Sequence, residues 1–156
     1  MAAQRESFLE VDFSYIADPK LRDIVRQFHQ EAVDAYGADR HVAAVILSGA
    51  VLEGILTFAL TRREADARHE FQSALGRRPR SIADWRLQDL VQVASRLGLL
   101  GETAAQAAPV VRDFRNMIHP FRLLQRSTPR WDALAPLALA AVAEISRSLG
   151  GRIQTE

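Results

Sequence analysis

Residues 42–60 have the sequence VAAVILSGAVLEGILTFAL, in which Glu53 is the one charged residue. A helix over this stretch is apolar on nearly all sides, which is typical of a helix buried in a core or a membrane. Its length approaches that of a membrane span. An acid at the centre of a span costs about 3 kcal/mol, however, and we find no second run of this kind. The stretch therefore predicts the central, buried helix of a soluble bundle.

Helices separated by proline, glycine and short polar breaks are predicted on both sides of this stretch. Asp18 and Pro19 are typical of a helix start, and this first helix is expected to run to Tyr36. Its inward stripe is predicted to comprise Leu21, Ile24, Val25, Phe28, Ala32 and Val33. Asp39 is expected to cap the apolar helix, which we extend to about Leu75.

The C-terminal half is interpreted in the same way. Further helices are predicted over 87–97, over 109–119, and from Pro129 or Asp132 to Leu149, with Pro136 kinking the last helix or delaying its start. The basic loop 76–80 is interpreted as a solvated turn. No segment alternates with the period of a β-strand. The predicted fold is all-α, a single-domain bundle of four to five helices.

The composition narrows the class of protein. The chain has 156 residues and 48% apolar residues, enough for one domain with its own core. It has no cysteine, which excludes disulfides and thiol catalysis and fits a reducing compartment. The net charge of +1 provides no overall attraction to nucleic acid or membrane. We see no signal peptide, so a cytoplasmic protein is expected, with an N-terminal arm or short helix over 1–17, the helical domain over 18–149 and a tail over 150–156.

The residues suited to chemistry are concentrated in 112–120, with the sequence RDFRNMIHP. A helix turns by ~100° per residue, so side chains three, four and seven positions apart share a face. Arg112, Arg115, Asn116 and His119 therefore form one polar ridge, and Pro120 is expected to end the helix near His119.

This ridge suits the cleavage of RNA. Arginine binds a phosphate in bidentate fashion, and histidine transfers protons near neutral pH. Asparagine can orient the imidazole or a ribose hydroxyl. The 2′-hydroxyl of RNA can itself be the nucleophile, so we expect no metal and no cofactor, and products with 2′,3′-cyclic phosphate and 5′-hydroxyl ends.

Two arginines that follow the ridge, Arg122 and Arg126, are candidate phosphate contacts. With Arg112, Arg115 and Arg130 they place five arginines in residues 112–130 against one acid. The alternative is compositional, since the chain contains 19 arginines and one lysine. Such a bias often reflects a GC-rich genome.

The segment VVRDFRNMIHP resembles the signature of HEPN domains, in which an arginine, often followed by a polar residue, precedes a histidine with about four to six residues between them. Leu47–Leu56 and Trp85–Ala94 also resemble helices of such proteins, so that the resemblance covers residues 18–149. It implies an all-helical domain, a homodimer with a composite cationic cleft, RNA as ligand, and an antitoxin or other protein as partner.

The spacing of the motif departs from the family pattern. Three residues separate Arg115 from His119, whereas six separate Arg112 from His119, but Arg112 lacks the following Asn. Catalysis therefore depends on which arginine faces the histidine. A shortened motif also fits a non-catalytic HEPN-like module that binds RNA, a nucleotide or a protein, or a dimeric scaffold.

The candidate residues could instead have structural roles. His119 could cap the helix C-terminus against its negative end. Glu53, as a lone carboxylate on an apolar helix, is expected to be paired, hydrogen-bonded or protonated. Its expected partner is Arg115 or Asn116. That contact would either anchor two helices or direct the arginine toward its substrate.

Overall fold

The computed structural model describes residues 7–107, 119–123 and 129–155, with the side chains of 122 and 123 excepted, and the regular elements in these ranges are all helical. The seven α-helices among them are α1 Pro19–Gly37, α2 His41–Thr61, α3 Glu64–Leu75, α4 Leu87–Arg96, α5 Glu102–Gln106, α6 Pro120–Leu123 and α7 Trp131–Ile153. A 3-10 turn, Ile82–Asp84, precedes α4. The all-α prediction is confirmed.

Helix α2 forms the centre of the bundle. It packs most extensively against α1 and α7, and it also contacts α3, α4 and the 3-10 turn. Leu52, Ile55, Leu56 and Leu60 are fully buried along it. A Cβ placed on Gly54 would lie 3.4 Å from Val25 Cγ2, so α1 and α2 approach closely there. The central position predicted for residues 42–60 is confirmed.

Two described helices, α2 and α7, have the length and hydropathy of a membrane span. The expectation of a single such run is therefore wrong. A core helix of a soluble protein passes the same test, and 44% of the most apolar window of each helix is buried within the fold.

Helix α1 begins as its sequence predicts. The Asp18 carboxylate accepts hydrogen bonds from the backbone N–H groups of Lys20 at 2.9 Å and Leu21 at 3.3 Å, and Pro19 is the first helical residue. The cap expected for α2 is wrong. Asp39 has φ +57° in the tight turn between the helices, and Arg40 precedes α2 without a side-chain cap.

Two other helix boundaries differ from the expectations. Helix α2 stops at Thr61, and α3 begins separately at Glu64. Helix α7 begins at Trp131 despite Pro136 and continues to Ile153, beyond the expected end at Leu149. Pro136 is the sixth residue of α7 and removes the one backbone hydrogen bond that its N–H would have donated. At the other end of the helix, a Cβ on Gly150 would lie 3.2 Å from the Tyr15 ring. The N-terminal segment therefore packs closely against α7 at Gly150.

The N-terminal segment that precedes α1 is part of the core. Phe8, Phe13, Tyr15 and Ile16 are all buried. The Tyr15 hydroxyl lies 3.0 Å from Ser146 Oγ, and Ser146 Oγ donates to the Asp12 carbonyl at 2.9 Å. The segment is therefore fastened to α7 through hydrogen bonds as well as through apolar packing.

This packing changes the inward face of α1. Ile24 and Phe28, which were expected inside, are 51% and 36% exposed, whereas His29 is 3% exposed. The His29 ring lies edge-on to Phe13 with centroids 5.4 Å apart, and its Nε2–H donates to the Phe8 carbonyl. The N-terminal segment covers the His29 side of α1 and leaves the Ile24 side to solvent.

Candidate functional site

The structure describes only part of the predicted ridge. His119 and Glu53 lie within the described residues, whereas Arg112, Arg115, Asn116 and Arg126 lie outside them. The backbone of Arg122 belongs to α6, and its side chain is outside the described part. The pairing of either arginine with His119, and of Glu53 with Arg115 or Asn116, therefore stays a prediction.

His119 is exposed and lies just outside helical structure. Pro120 follows it as the first residue of α6, where proline is well tolerated because that position needs no N–H donor. The His119 side chain is therefore not a buried core residue. An exposed imidazole can exchange protons with water and can approach a large substrate such as a polynucleotide.

Phe121 is a candidate that the sequence did not single out. Its side chain is 77% exposed, the highest value among the large exposed apolar residues of the described chain. It lies two residues after His119, in a short helix. Exposed aromatic rings can stack on the bases of single-stranded RNA. The signal in the sequence was an aromatic residue directly after His-Pro.

Glu53 differs from its expected environment. It is exposed on α2 rather than buried, and in the described part of the chain no side chain forms a hydrogen bond or ion pair with its carboxylate. Partial burial of the carboxyl group nevertheless raises its pKa above the ordinary value. The neutral form of Glu53 is therefore favoured more in the folded chain than in water.

Glu53 belongs to a face of α2 that is open to solvent. Val42 and Ile46, which lie eleven and seven positions before Glu53, are each 44% exposed. Residues at these spacings line one side of a helix. Helix α2 is therefore central to the bundle without being covered on every side, and its uncovered side carries apolar residues and one acid.

The arginine cluster is described only at its C-terminal end. Arg130 Nη2 forms an ion pair with the Asp132 carboxylate at 2.7 Å. Both side chains are exposed, so the pair contributes little to stability. Arg130 is thus partly neutralised beside the start of α7, and it is a weaker candidate for binding phosphate than an arginine without an acidic partner.

No group of three or more His, Cys, Asp or Glu side chains in the described ranges could hold a metal ion. No family model, no curated protein and no solved structure matches this chain. Within the predicted ridge, the structure therefore bears on His119 alone, and the roles of Arg112, Arg115 and Asn116 stay predictions from the sequence.

Proposed function

We propose that this chain is a HEPN-like, RNA-handling protein of the cytoplasm that acts as a metal-independent endoribonuclease. The observation that carries the proposal is the exposure of His119, the proton-transferring residue of the ridge. A histidine that served only to pack a core would be buried. The all-helical fold supports the resemblance to HEPN domains, in which the motif comes late in the chain.

The reaction follows from the chemistry of the ridge. Arg112 or Arg115 binds the phosphate and stabilises the negative charge that develops on it. His119 takes the proton from the ribose 2′-hydroxyl, and Asn116 orients the reacting groups. The 2′-oxygen then bonds to phosphorus, the bond from phosphorus to the 5′-oxygen breaks, and that oxygen takes a proton from water. Protonated His119 returns its proton to the hydroxide so formed, which restores the neutral imidazole.

A homodimer belongs to the same proposal. The composite cleft implied by the resemblance needs two copies of the motif helix, and an antitoxin or another protein would control it. Exposed apolar side chains on α1 and α2 support a protein contact, since such residues at an interface lose their contact with water. They are Ile24, Phe28, Val42 and Ile46.

The test is incubation of the purified protein with single-stranded and structured RNAs in excess chelator. We expect cleavage by the wild type and its loss in His119→Ala. His69→Ala is the matched control, because His69 is an exposed histidine on α3, and it should cleave as the wild type does. Equal cleavage by His119→Ala, or intact RNA in every wild-type reaction, would refute the proposal.

A non-catalytic binding module is the second candidate function. The short spacing from Arg115 to His119 and the exposed apolar residues of α1 and α2 favour it. It predicts binding of RNA, a nucleotide or a protein without any product. Arg115→Ala would then weaken binding while the protein stays folded. If Arg115→Ala instead unfolds the protein and leaves binding unchanged, the motif is structural.

A further inference from the structure

A pocket lined by arginines lies between the end of α3 and the start of α4. Its volume is about 350 Å³, and four of the residues that line it are Arg77, Arg78, Arg80 and Arg86. The sequence of the loop 76–80 predicts a solvated turn. These arginines are indeed exposed, but the fold brings them together with Arg86 around one concave surface.

The pocket carries an excess of positive charge. Two acids also line it, Asp84 and Asp89. Asp89 is buried, with a side chain 4% exposed, and it forms an ion pair with Arg77 Nη2 at 3.2 Å. In the described part of the chain, the guanidinium groups of Arg78, Arg80 and Arg86 form no ion pair. Three unneutralised cations therefore face one exposed carboxylate, Asp84.

The walls of the pocket are held by specific contacts. The guanidinium of Arg77 lies over the Phe71 ring, 5.4 Å from its centroid, and Phe71 packs against Trp85 with centroids 4.3 Å apart. The Arg80 carbonyl accepts hydrogen bonds from Trp85 Nε1 and from Arg68 Nη1, both at 3.2 Å. These hydrogen bonds fix the loop to α3 and to the segment before α4, so the backbone positions of the loop arginines are defined.

The start of α4 adds to the positive potential. Arg86 is the residue before this ten-residue helix, and no side chain caps its first N–H groups. The N-terminus of a helix carries a partial positive charge and binds anions. The first turn of this helix also contains Asp89, which pairs with Arg77, so the main attraction for an anion comes from Arg78, Arg80 and Arg86.

The chemistry of the lining favours a phosphate over a stacked base. Phe71 and Trp85 are only 4% and 6% exposed, so their rings are not available as stacking surfaces. Arginine recognises phosphate through parallel N–H donors. A volume of 350 Å³ lies in the range of ligand pockets, about 300–1,000 Å³, which accommodates a phosphate with its ribose.

We propose that this pocket binds a phosphate of the RNA backbone and gives the chain a second RNA contact, separate in sequence from residues 112–119. The identity of the ligand rests on the proposed function, whereas the cationic pocket does not. Arg78 and Arg86 approach the phosphate from the loop and from the start of α4. The contact recognises the backbone and is indifferent to base sequence.

The test compares binding of a labelled single-stranded RNA across a series of salt concentrations. The parent is His119→Ala, which prevents cleavage during the measurement. Adding Arg78→Ala and Arg86→Ala should weaken binding about tenfold. It should also reduce the slope of log affinity against log salt by about 0.7, since the pocket binds one phosphate and each phosphate contact on a single strand contributes about 0.7.

Two control pairs make the result specific. Arg40→Ala with Arg152→Ala removes the same charge from exposed positions outside the pocket, and it should leave the slope nearly unchanged. Replacing Arg78 and Arg86 by lysine keeps the charge, so the slope should be retained while affinity falls through loss of the bidentate geometry. Circular dichroism verifies that each variant is folded.

Equal binding by the parent and the Arg78→Ala, Arg86→Ala variant would overturn the pocket proposal, as would an equal loss in the Arg40, Arg152 control. Failure of the proposed function is recorded separately, as intact RNA in wild-type cleavage assays. A protein that binds RNA through the pocket but never cleaves it would retain this inference and lose the ribonuclease assignment.

Discussion

Phe13→Ala tests whether the N-terminal segment is part of the folded core. Phe13 is 2% exposed, and its ring lies edge-on to His29 with centroids 5.4 Å apart. Truncating a fully buried phenylalanine costs about 3–5 kcal/mol, through lost burial and the cavity left behind. The aromatic contact accounts for about 1 kcal/mol of this cost. Since domains are stable by about 5–15 kcal/mol, the loss should be a large fraction of the total.

Urea unfolding followed by circular dichroism measures this loss. With a slope of about 2 kcal/mol per M, a loss of 4 kcal/mol lowers the midpoint by about 2 M. Phe121→Ala is the matched control. It is the same substitution at a residue 77% exposed, so its free energy of unfolding should change by at most about 0.5 kcal/mol. Equal, small shifts for both variants would refute the packing of the N-terminal segment.

Three further predictions concern polar groups. Tyr15→Phe removes the buried contact to Ser146 Oγ, 3.0 Å away, and should lower the free energy of unfolding by about 1 kcal/mol; an unchanged urea midpoint would contradict it. Burial raises the pKa of Glu53, so the ionised form opposes folding as the pH rises through that pKa. Glu53→Gln should therefore be more stable near neutral pH, by at most about 0.5 kcal/mol, and a less stable variant would count against this. Burial lowers the pKa of His29 below its ordinary 6.5. The free energy of unfolding should therefore have its full value, as far as His29 determines it, above pH 6.5, and it should decrease as the pH falls toward the lowered pKa. Urea titrations across this range should show that decrease in the wild type and a smaller one in His29→Gln.

The sequence predicts the central helix and the start of α1 because their signals are local. A long apolar run without a polar face belongs inside a protein, and the Asp18 cap depends on neighbouring residues alone. The same reasoning failed at Asp39, where the turn between α1 and α2 holds the residue at φ +57°. The geometry of such a turn is set by the packing of both helices.

The inward face of α1 could not be predicted from α1 alone. Its apolar pattern includes Ile24 and Phe28, but the side that is covered depends on where the N-terminal segment packs. The Phe8 carbonyl and the Phe13 ring contact His29, although both residues are well separated from it along the chain. Helix periodicity contains no information about such contacts, so the buried histidine was missed.

One part of the candidate site could be predicted from the sequence, whereas another part depends on the fold. The ridge of residues 112–119 is a prediction from helical spacing, and the structure adds to it that the His119 side chain is exposed. The arginine pocket needed the fold, because Arg86 lies beyond the 3-10 turn from Arg78. A basic loop by itself is most often a solvated turn. In the fold, Asp89 pairs with Arg77, and in the described part of the chain the other three arginines of the pocket form no ion pair.

The most direct test of the ribonuclease assignment is analysis of the RNA ends produced in excess chelator. Mass spectrometry of the fragments from wild-type protein should show 2′,3′-cyclic phosphate and 5′-hydroxyl ends, and His119→Ala should produce none. Fragments with 5′-phosphate ends, or the same cyclic phosphates from His119→Ala, would contradict a reaction in which His119 activates the 2′-hydroxyl.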